Sequence, residues 1–212
     1  MVLNLKDTLR DLILAFEKEI LRANSCNQCF FDMKYKNDRN GEWEKVYEIA
    51  PAFFGLARRG LQTEAFVTVS KPYEPNNRSD YNLYKLLSFI EANSNRICAE
   101  GYKEINAEVK KYREALDGKQ QIANKVLHIR DKIIAHNGKE YFTVFDGKAS
   151  DISLSFEEIV DLLKFAEELV NAFNYIVFQS RSVMTYNNGW LGNGHDVDQL
   201  MTFCLKNLHN YE

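Results

Sequence analysis

The chain has 212 residues, a hydrophobic fraction of 45% and a formal net charge of -3. This hydrophobic fraction is enough for a sizeable core, so we expect a globular protein with one large domain, two small domains being the alternative. The slightly acidic net charge argues against a protein that binds nucleic acid through overall positive charge. It is compatible with an enzyme that binds one or two phosphates locally.

The sequence lacks the usual signs of membrane insertion and of metal binding. No stretch approaches the roughly 18 uninterrupted apolar residues of a membrane helix, and the first residues turn charged too early for a signal-peptide core. We therefore expect a cytoplasmic protein with no membrane partner. Cys26 and Cys29 form a lone C-x-x-C without the second close pair that a zinc site needs. Reduced thiols are the favoured interpretation, and we expect neither metal nor cofactor.

Apolar residues recur every three to four positions along the first third of the chain, which predicts amphipathic helices. The first helix is predicted over residues 4–24. A second begins near Trp43 and breaks at Pro51, because proline lacks the N–H that a mid-helix position requires. The same periodicity then continues over residues 52–71, so a further helix is expected there.

The middle of the chain alternates turn signals with helical patterns. Residues 72–79 are predicted to be a loop, and a helix follows with Leu83 and Ile90 among its apolar residues. Two more helices are predicted over residues 99–116 and 119–136, separated at Asp117-Gly118. The later of these two is called the motif helix below.

The last third is predicted to be helical as well. Alternating residues at 141–147 allow one short β-hairpin after the motif helix. Ser155 and Glu158 form a capping box that opens the next helix, whose predicted core residues are Ile159, Leu162, Ala166, Leu169, Phe173 and Ile176. A loop and a short helix over residues 197–208 follow. The sum is an all-α bundle, with a helical domain over 1–182 and a C-terminal extension over 183–212.

Arg130 and His136, near the end of the motif helix, are the residues that most suggest chemistry. Arg can steady a phosphate and His can move protons near neutral pH, which together permit metal-free phosphodiester chemistry. At about 100° per residue, Arg130 falls inside the apolar arc of the helix. At such a position its charge must either pair with a carboxylate or face an interface or a groove. The simpler interpretation of His136 is an imidazole that stabilises a helix C-terminus.

The spacing of the pair also favours a dimer. Six residues separate the two side chains by about 9 Å along the helix axis and about 120° around it. One chain would therefore have difficulty placing both on one small group. A two-fold dimer that pairs two motif helices would gather two Arg and two His around one cleft.

Three stretches together resemble the HEPN superfamily, whose signature is Arg, four to six residues, then His. They run from Pro51-Ala52-Phe53-Phe54 to Tyr73, from Asn82-Leu83 to Ile90, and from Arg130-Asp131-Lys132 to Ala135-His136. Within that superfamily the chain is most similar to the abortive-infection U-type (AbiU-like) proteins. The resemblance covers roughly residues 1–180.

The resemblance implies an antiparallel helical core, a homodimer through the motif helices, and metal-independent RNA cleavage by a toxin or phage-defence effector. Arg130 would hold the scissile phosphate, His136 would be the general acid or base, and Asp131 would orient one of them. Lys132 and Asn137 are candidate substrate-binding residues, and an antitoxin or defence protein is a candidate partner. Some relatives are inactive or only bind nucleotides. The alternative is therefore a non-catalytic helical module that binds a nucleotide, RNA or a protein.

A basic run with one aromatic residue, Lys110-Lys111-Tyr112-Arg113, is a second candidate for RNA contact. A solvated helix face is the favoured interpretation, since charged faces of helices usually contact water. The chain has no Gly-rich phosphate loop, no G-x-S-x-G and no H-E-x-x-H. Their absence weakens nucleotide hydrolase, serine hydrolase and metalloprotease interpretations.

Overall fold

The computed structural model describes residues 4–35, 42–98, 105–131, 154–180 and 194–207. Within these ranges there are seven α-helices and no strand, which confirms the predicted all-α bundle. They are α1 (Leu5–Tyr35), α2 (Glu42–Ile49), α3 (Pro51–Ser70), α4 (Leu83–Ile97), α5 (Ile105–Ile129), α6 (Phe156–Phe178) and α7 (Gly194–Asn207), with a 3-10 turn at Lys71–Tyr73. The hairpin predicted at 141–147 lies outside the described residues.

The chain forms two compact units. The first unit contains Met1–Ile20 with Phe66–Thr185, and the second contains Leu21–Ala65 with Tyr186–Glu212. Both α1 and α3 therefore contribute residues to each unit. The predicted boundary between residues 182 and 183 stays a prediction.

Helices α4, α5 and α6 of the first unit pack in antiparallel order. Polar contacts join Tyr84 to Asp117, Glu91 to Arg113, Asp161 to Lys119 and Glu158 to Lys125. Residue numbers rise along one helix of each pair as they fall along its neighbour. These contacts show that the neighbouring helices run antiparallel. They contribute little to the stability of the unit, since exposed ion pairs are weak.

Apolar side chains from four helices form the core of the first unit. The largest fully buried ones are Leu9, Ile13, Ile20, Leu83, Leu86, Leu87, Ile90, Ile97, Leu116, Leu162, Leu163 and Phe173. The six residues predicted to face the core along α6 are all buried. The predicted capping box is confirmed too. The Ser155 hydroxyl accepts from the Glu158 N–H, and the Glu158 carboxylate accepts from the Ser155 N–H.

The second unit has its own small core of Met33, Val46, Phe54 and Met201. The Tyr47 hydroxyl donates to the Met33 carbonyl over 2.7 Å, and the Tyr47 ring meets Phe54 edge-on. The predicted break at Pro51 is confirmed, because α2 ends at Ile49 and α3 begins at Pro51. The last helix begins at Gly194, three residues before its predicted start.

The first helix is longer than predicted, because α1 continues past residue 24 to Tyr35. The apolar repeat on which the prediction was based ends at Ile20. However, Asn27 and Asp32 are buried, and the Gln28 amide donates to the Asp32 carboxylate over 3.0 Å. Tertiary burial and side-chain bonding thus outweigh the modest helix propensities of these residues.

The prediction of two helices separated at Asp117-Gly118 is wrong, because α5 runs unbroken from Ile105 to Ile129. Gly118 lies inside the helix, and a Cβ there would meet no atom within 4 Å. The helix continues because Leu116 and Ala123, on either side of the glycine, are both buried in the core. That packing outweighs a propensity cost of about 1 kcal/mol for glycine in a helix interior.

Replacing Gly118 with Ala should therefore stabilise the protein. We expect the free energy of unfolding, measured by urea denaturation, to rise by about 0.5–1 kcal/mol, since alanine has the higher helix propensity and open space around its methyl group. Ala115→Gly at an exposed position of the same helix is the reverse control and should lower it by a similar amount. A destabilising Gly118→Ala would mean that α5 is interrupted.

Candidate functional site

Arg130 and Asp131 lie directly after α5, where the backbone widens into a π-type turn. Such turns interrupt the regular rotation of an α-helix. The predicted angle of about 120° between Arg130 and His136 stays a prediction. Three other predicted site residues, Lys132, His136 and Asn137, lie outside the described residues.

The Arg130 guanidinium is held by two carboxylates and a hydroxyl. Its side chain is only 14% exposed. Nε and Nη2 donate to Asp131 Oδ1 over 2.9 and 2.7 Å, and Nη1 donates to Ser70 Oγ over 3.0 Å and to Glu74 Oε1. Of the two alternatives expected for an Arg in the apolar arc, the carboxylate partner is present.

Ser70 is oriented for this contact by the end of α3. It is completely buried, and its hydroxyl donates to the Val67 carbonyl over 2.8 Å. Since the hydroxyl proton is committed to that bond, the oxygen lone pairs remain to accept from Arg130. The local structure of α3 therefore places an acceptor at the guanidinium.

Glu74 is placed by the 3-10 turn that follows α3. Its N–H donates to the Lys71 carbonyl over 3.3 Å and ends the turn. The buried Tyr73 hydroxyl donates to the Leu162 carbonyl of α6 over 2.5 Å and fixes the turn against the core. Burial, and then the charge of Asp161, raise the pKa of Tyr73 well above its usual value, so this hydroxyl stays protonated and keeps donating.

A second arginine binds the far side of Asp131. Arg78 Nη1 donates to Asp131 Oδ2 over 2.7 Å, and a turn in which the Arg78 N–H donates to the Pro75 carbonyl presents it there. Partial burial alone would raise the pKa of Asp131. The hydrogen bonds and charges of Arg130 and Arg78 outweigh that effect and lower the pKa below its usual value. Asp131 is therefore ionised at neutral pH.

These five residues, namely Ser70, Glu74, Arg78, Arg130 and Asp131, are called the Arg130 network below. Two cations face two carboxylates, so the network is formally neutral. Among the described residues, Arg130 uses four of its five N–H groups. A phosphate could therefore gain a two-pronged contact with Arg130 only by displacing a partner. Arg78 is the more accessible cation, with 57% of its side chain exposed.

Three members of the network were not predicted as site residues, namely Ser70, Glu74 and Arg78. The helical wheel predicted that Arg130 could need a carboxylate partner. It could not identify Glu74 as that partner, because Glu74 lies 56 residues earlier, in the predicted loop. Pro72 and Pro75 flank Tyr73-Glu74, and these two prolines are the local sequence feature that indicates a rigid segment there.

The basic run of α5 is not part of the network. Lys110, Lys111 and Arg113 pair with Glu114, Glu108 and Glu91, respectively. The ring of Tyr112 lies 5.6 Å from that of Phe173 in the core. These contacts support the interpretation of this run as a solvated helix face.

The C-x-x-C pair lies on α1 within the second unit. Cys26 and Cys29 are half-buried and are not joined by a disulfide. Burial, followed by the charge of Glu64, raises the pKa of Cys26, whereas Arg22 opposes the rise. In the part of the chain that the structure describes, no group of three or more His, Cys, Asp or Glu side chains could hold a metal ion.

A family model described as AbiU2 (HEPN_AbiU2) matches residues 6–198. The chain belongs to this family. The match confirms the resemblance inferred from the sequence, and it includes the Arg130 network and the segment that carries His136. Searches of curated proteins and of solved structures gave no significant match. Within the described ranges of this AbiU2-family chain, no helix is both long enough and apolar enough to span a bilayer.

The lowered pKa of Asp131 predicts a pH-dependent contribution to stability. Because its folded-state pKa lies below the usual value of about 3.9, its ionic contacts stabilise the protein above that pH and are lost as the pH falls through the lowered value. Asp131→Asn should lower the free energy of unfolding by about 1–2 kcal/mol at pH 7, with a smaller difference from wild type near pH 3.

Urea denaturation between pH 7 and pH 2.5 would measure this difference. Asp11→Asn is the matched control, because Asp11 is an exposed residue of α1 outside the Arg130 network. An Asp131→Asn effect that stays constant over the whole pH range would contradict the ionic role of this carboxylate.

Proposed function

We propose that this chain is a metal-independent endoribonuclease of the HEPN type that acts in the cytoplasm as a toxin or phage-defence effector. The family match carries the proposal, since it includes both Arg130 and His136. A further support is that Arg130 is held at the end of α5 instead of extending freely into solvent. An antitoxin or another defence protein is the expected partner.

The proposed reaction uses the RNA as its own nucleophile. A ribose 2′-hydroxyl attacks the adjacent phosphorus, a bond to the 2′ oxygen forms, and the bond to the 5′ oxygen breaks. The products are a 2′,3′-cyclic phosphate and a 5′-hydroxyl. Arg130 stabilises the charge that builds on the phosphoryl oxygens, and His136 moves the proton. Lys132 and Asn137 contact the substrate.

Asp131 acts in this proposal as a positioning residue. By accepting from both Nε and Nη2 it fixes the plane of the Arg130 guanidinium. Glu74 opposes phosphate binding, because its carboxylate already accepts from Arg130 Nη1 and its negative charge repels an incoming phosphate. RNA binding therefore requires Arg130 to exchange Glu74 for a phosphate oxygen.

The cleft is proposed to form between two copies of the chain. Pairing of the predicted motif helix (residues 119–136) of one copy with that of the other would supply two Arg130 and two His136 side chains to one substrate site. The offset between the two positions along the chain supports this arrangement, since one copy has difficulty bringing both side chains to one phosphate.

The alternative is a helical module that binds a nucleotide, RNA or a protein without cutting it. The neutrality of the Arg130 network favours this alternative, because the carboxylates already satisfy the guanidinium. In that case Arg130 would be a structural residue that joins the end of α3 to the end of α5.

Replacement of His136 tests catalysis. His136→Ala should reduce the rate of RNA cleavage by about 100- to 10,000-fold, the usual contribution of a general acid or base. Cleavage of a fluorescent RNA panel in EDTA, and growth arrest on expression, would measure the loss. His128→Ala is the matched control, as His128 is a half-buried histidine of α5 that the mechanism does not use.

The same preparations should sediment as dimers at micromolar concentration. Full activity of folded His136→Ala protein would contradict its catalytic role. A wild-type monomer in equilibrium sedimentation would contradict the shared cleft. A wild-type protein that leaves every RNA intact, with and without divalent metal, would favour the binding module.

Replacement of Glu74 tests whether Arg130 meets a phosphate. Glu74→Gln removes one negative charge beside the guanidinium, so RNA should bind roughly three- to tenfold more tightly at low salt. Filter binding of an RNA with 2′-O-methyl groups, which cannot be cleaved by this route, would measure the affinity. Glu91→Gln removes an equal charge from the exposed pair with Arg113, and it is the matched control.

The purely structural role of Arg130 makes a different prediction. It requires Glu74→Gln to lower the melting temperature without any effect on RNA affinity beyond that of Glu91→Gln. This outcome would remove Arg130 from the proposed phosphate site.

A further inference from the structure

A cleft of about 520 Å³ lies in the first unit, between α1 and the segment that joins α3 to α4. Its volume falls within the usual range of roughly 300–1,000 Å³ for small-molecule sites. Phe16, Lys71, Glu74 and Tyr81 are among the residues that line it. Nothing in the reaction proposed above uses this cleft.

The cleft adjoins the Arg130 network through one side chain. Glu74 lines the cleft and also accepts a hydrogen bond from Arg130 Nη1. The carboxylate of Glu74 therefore lies between the cleft and the guanidinium of Arg130. A phosphate that replaces Glu74 at Arg130 would therefore lie beside a residue that lines the cleft.

An aromatic surface suited to stacking forms part of the cleft. Tyr81 has 50% of its surface exposed, although it is a large hydrophobic residue. The buried ring of Phe16 supports it, with 6.2 Å between ring centroids. Exposed aromatic rings of this kind stack with nucleobases, because every base has a π-face.

Hydrogen bonds fix the backbone of Tyr81 before any ligand binds. The Ser79 hydroxyl donates to the Tyr81 carbonyl over 2.9 Å, and the Tyr81 N–H donates back to that hydroxyl oxygen over 3.0 Å. The next residue, Asn82, is completely buried and caps α4 by accepting from the Lys85 N–H. Little backbone conformational entropy is therefore lost when a base stacks there.

Charged groups of both signs also line the cleft. Lys18 and Lys71 are balanced by Glu19 and Glu74, and Lys71 Nζ donates to the Glu19 carboxylate over 2.8 Å. This formally neutral cleft with its aromatic rings fits an uncharged planar base, whereas the phosphate attached to that base requires the guanidinium of Arg130.

We propose that this cleft binds one nucleobase of single-stranded RNA, stacked on Tyr81, while the adjoining phosphate lies at Arg130. The proposal rests on the proposed function for its substrate and for the role of Arg130. Base binding itself requires no cleavage, so the two can be tested separately.

The experiment compares two non-cleavable oligomers. One is a mixed-sequence oligoribonucleotide with 2′-O-methyl groups, and the other is its abasic counterpart with the same charge. Full-length wild-type protein should bind the base-bearing oligomer at least tenfold more tightly, and Tyr81→Leu should remove most of that preference. Tyr81→Phe should retain it, since the ring is kept.

Tyr175→Leu is the matched control, because Tyr175 is equally exposed, at 48%, and lies on α6 outside the cleft. It should leave the preference unchanged. Tyr81→Trp keeps the experiment decisive if Tyr81→Leu does not fold. Its fluorescence should be quenched by the base-bearing oligomer and not by the abasic one, with Tyr175→Trp as the control.

The proposal is overturned if wild-type protein binds both oligomers equally or binds neither. It is also overturned if Tyr81→Leu and Tyr175→Leu behave alike. Failure of the proposed function has a different signature. In that case, RNA stays uncut by the wild type while the Tyr81-dependent preference for bases persists.

Discussion

The partly buried charge of Arg130 is the constraint on which the arrangement of the first unit depends. A guanidinium in an apolar face loses hydration, and only hydrogen-bonded anions restore the lost free energy. One of these anions is the next residue, but the other arrives from the turn after α3. That turn is held on α6 through the hydroxyl of Tyr73. The packing of three helices therefore determines the surroundings of one side chain.

The sequence predicted those features that local chemistry controls. Helical periodicity, the break at Pro51 and the capping box at Ser155 depend on neighbouring residues, and the structure confirms them. Gly118 misled the prediction, because a local stop signal was outweighed by packing on both sides of it. The need of Arg130 for an acid was predictable from the helical wheel, whereas Glu74 as its source was not, since their contact is set by tertiary structure.

The Arg130 network has opposite consequences for folding and for phosphate binding. Four donated N–H groups and a balance of charge stabilise the guanidinium in the folded chain. The same contacts weaken its attraction for a phosphate, because any anion must compete with carboxylates already in place. An active enzyme of this design would gain affinity from groups beyond Arg130, such as the exposed Arg78 and the aromatic cleft beside Glu74.

The contact between Glu74 and Arg130 also has an evolutionary consequence. Loss of Arg130 leaves Glu74 as a poorly exposed charge without this partner, and loss of Glu74 removes one of the two carboxylates that are seen to neutralise Arg130. Single substitutions at these positions should therefore be rare among family members, and paired replacements should be common. The two positions are 56 residues apart, and Glu74 lies in the loop before α4. Loop sequences usually vary among homologues, so correlated replacement of Glu74 and Arg130 would stand out in a comparison of family members.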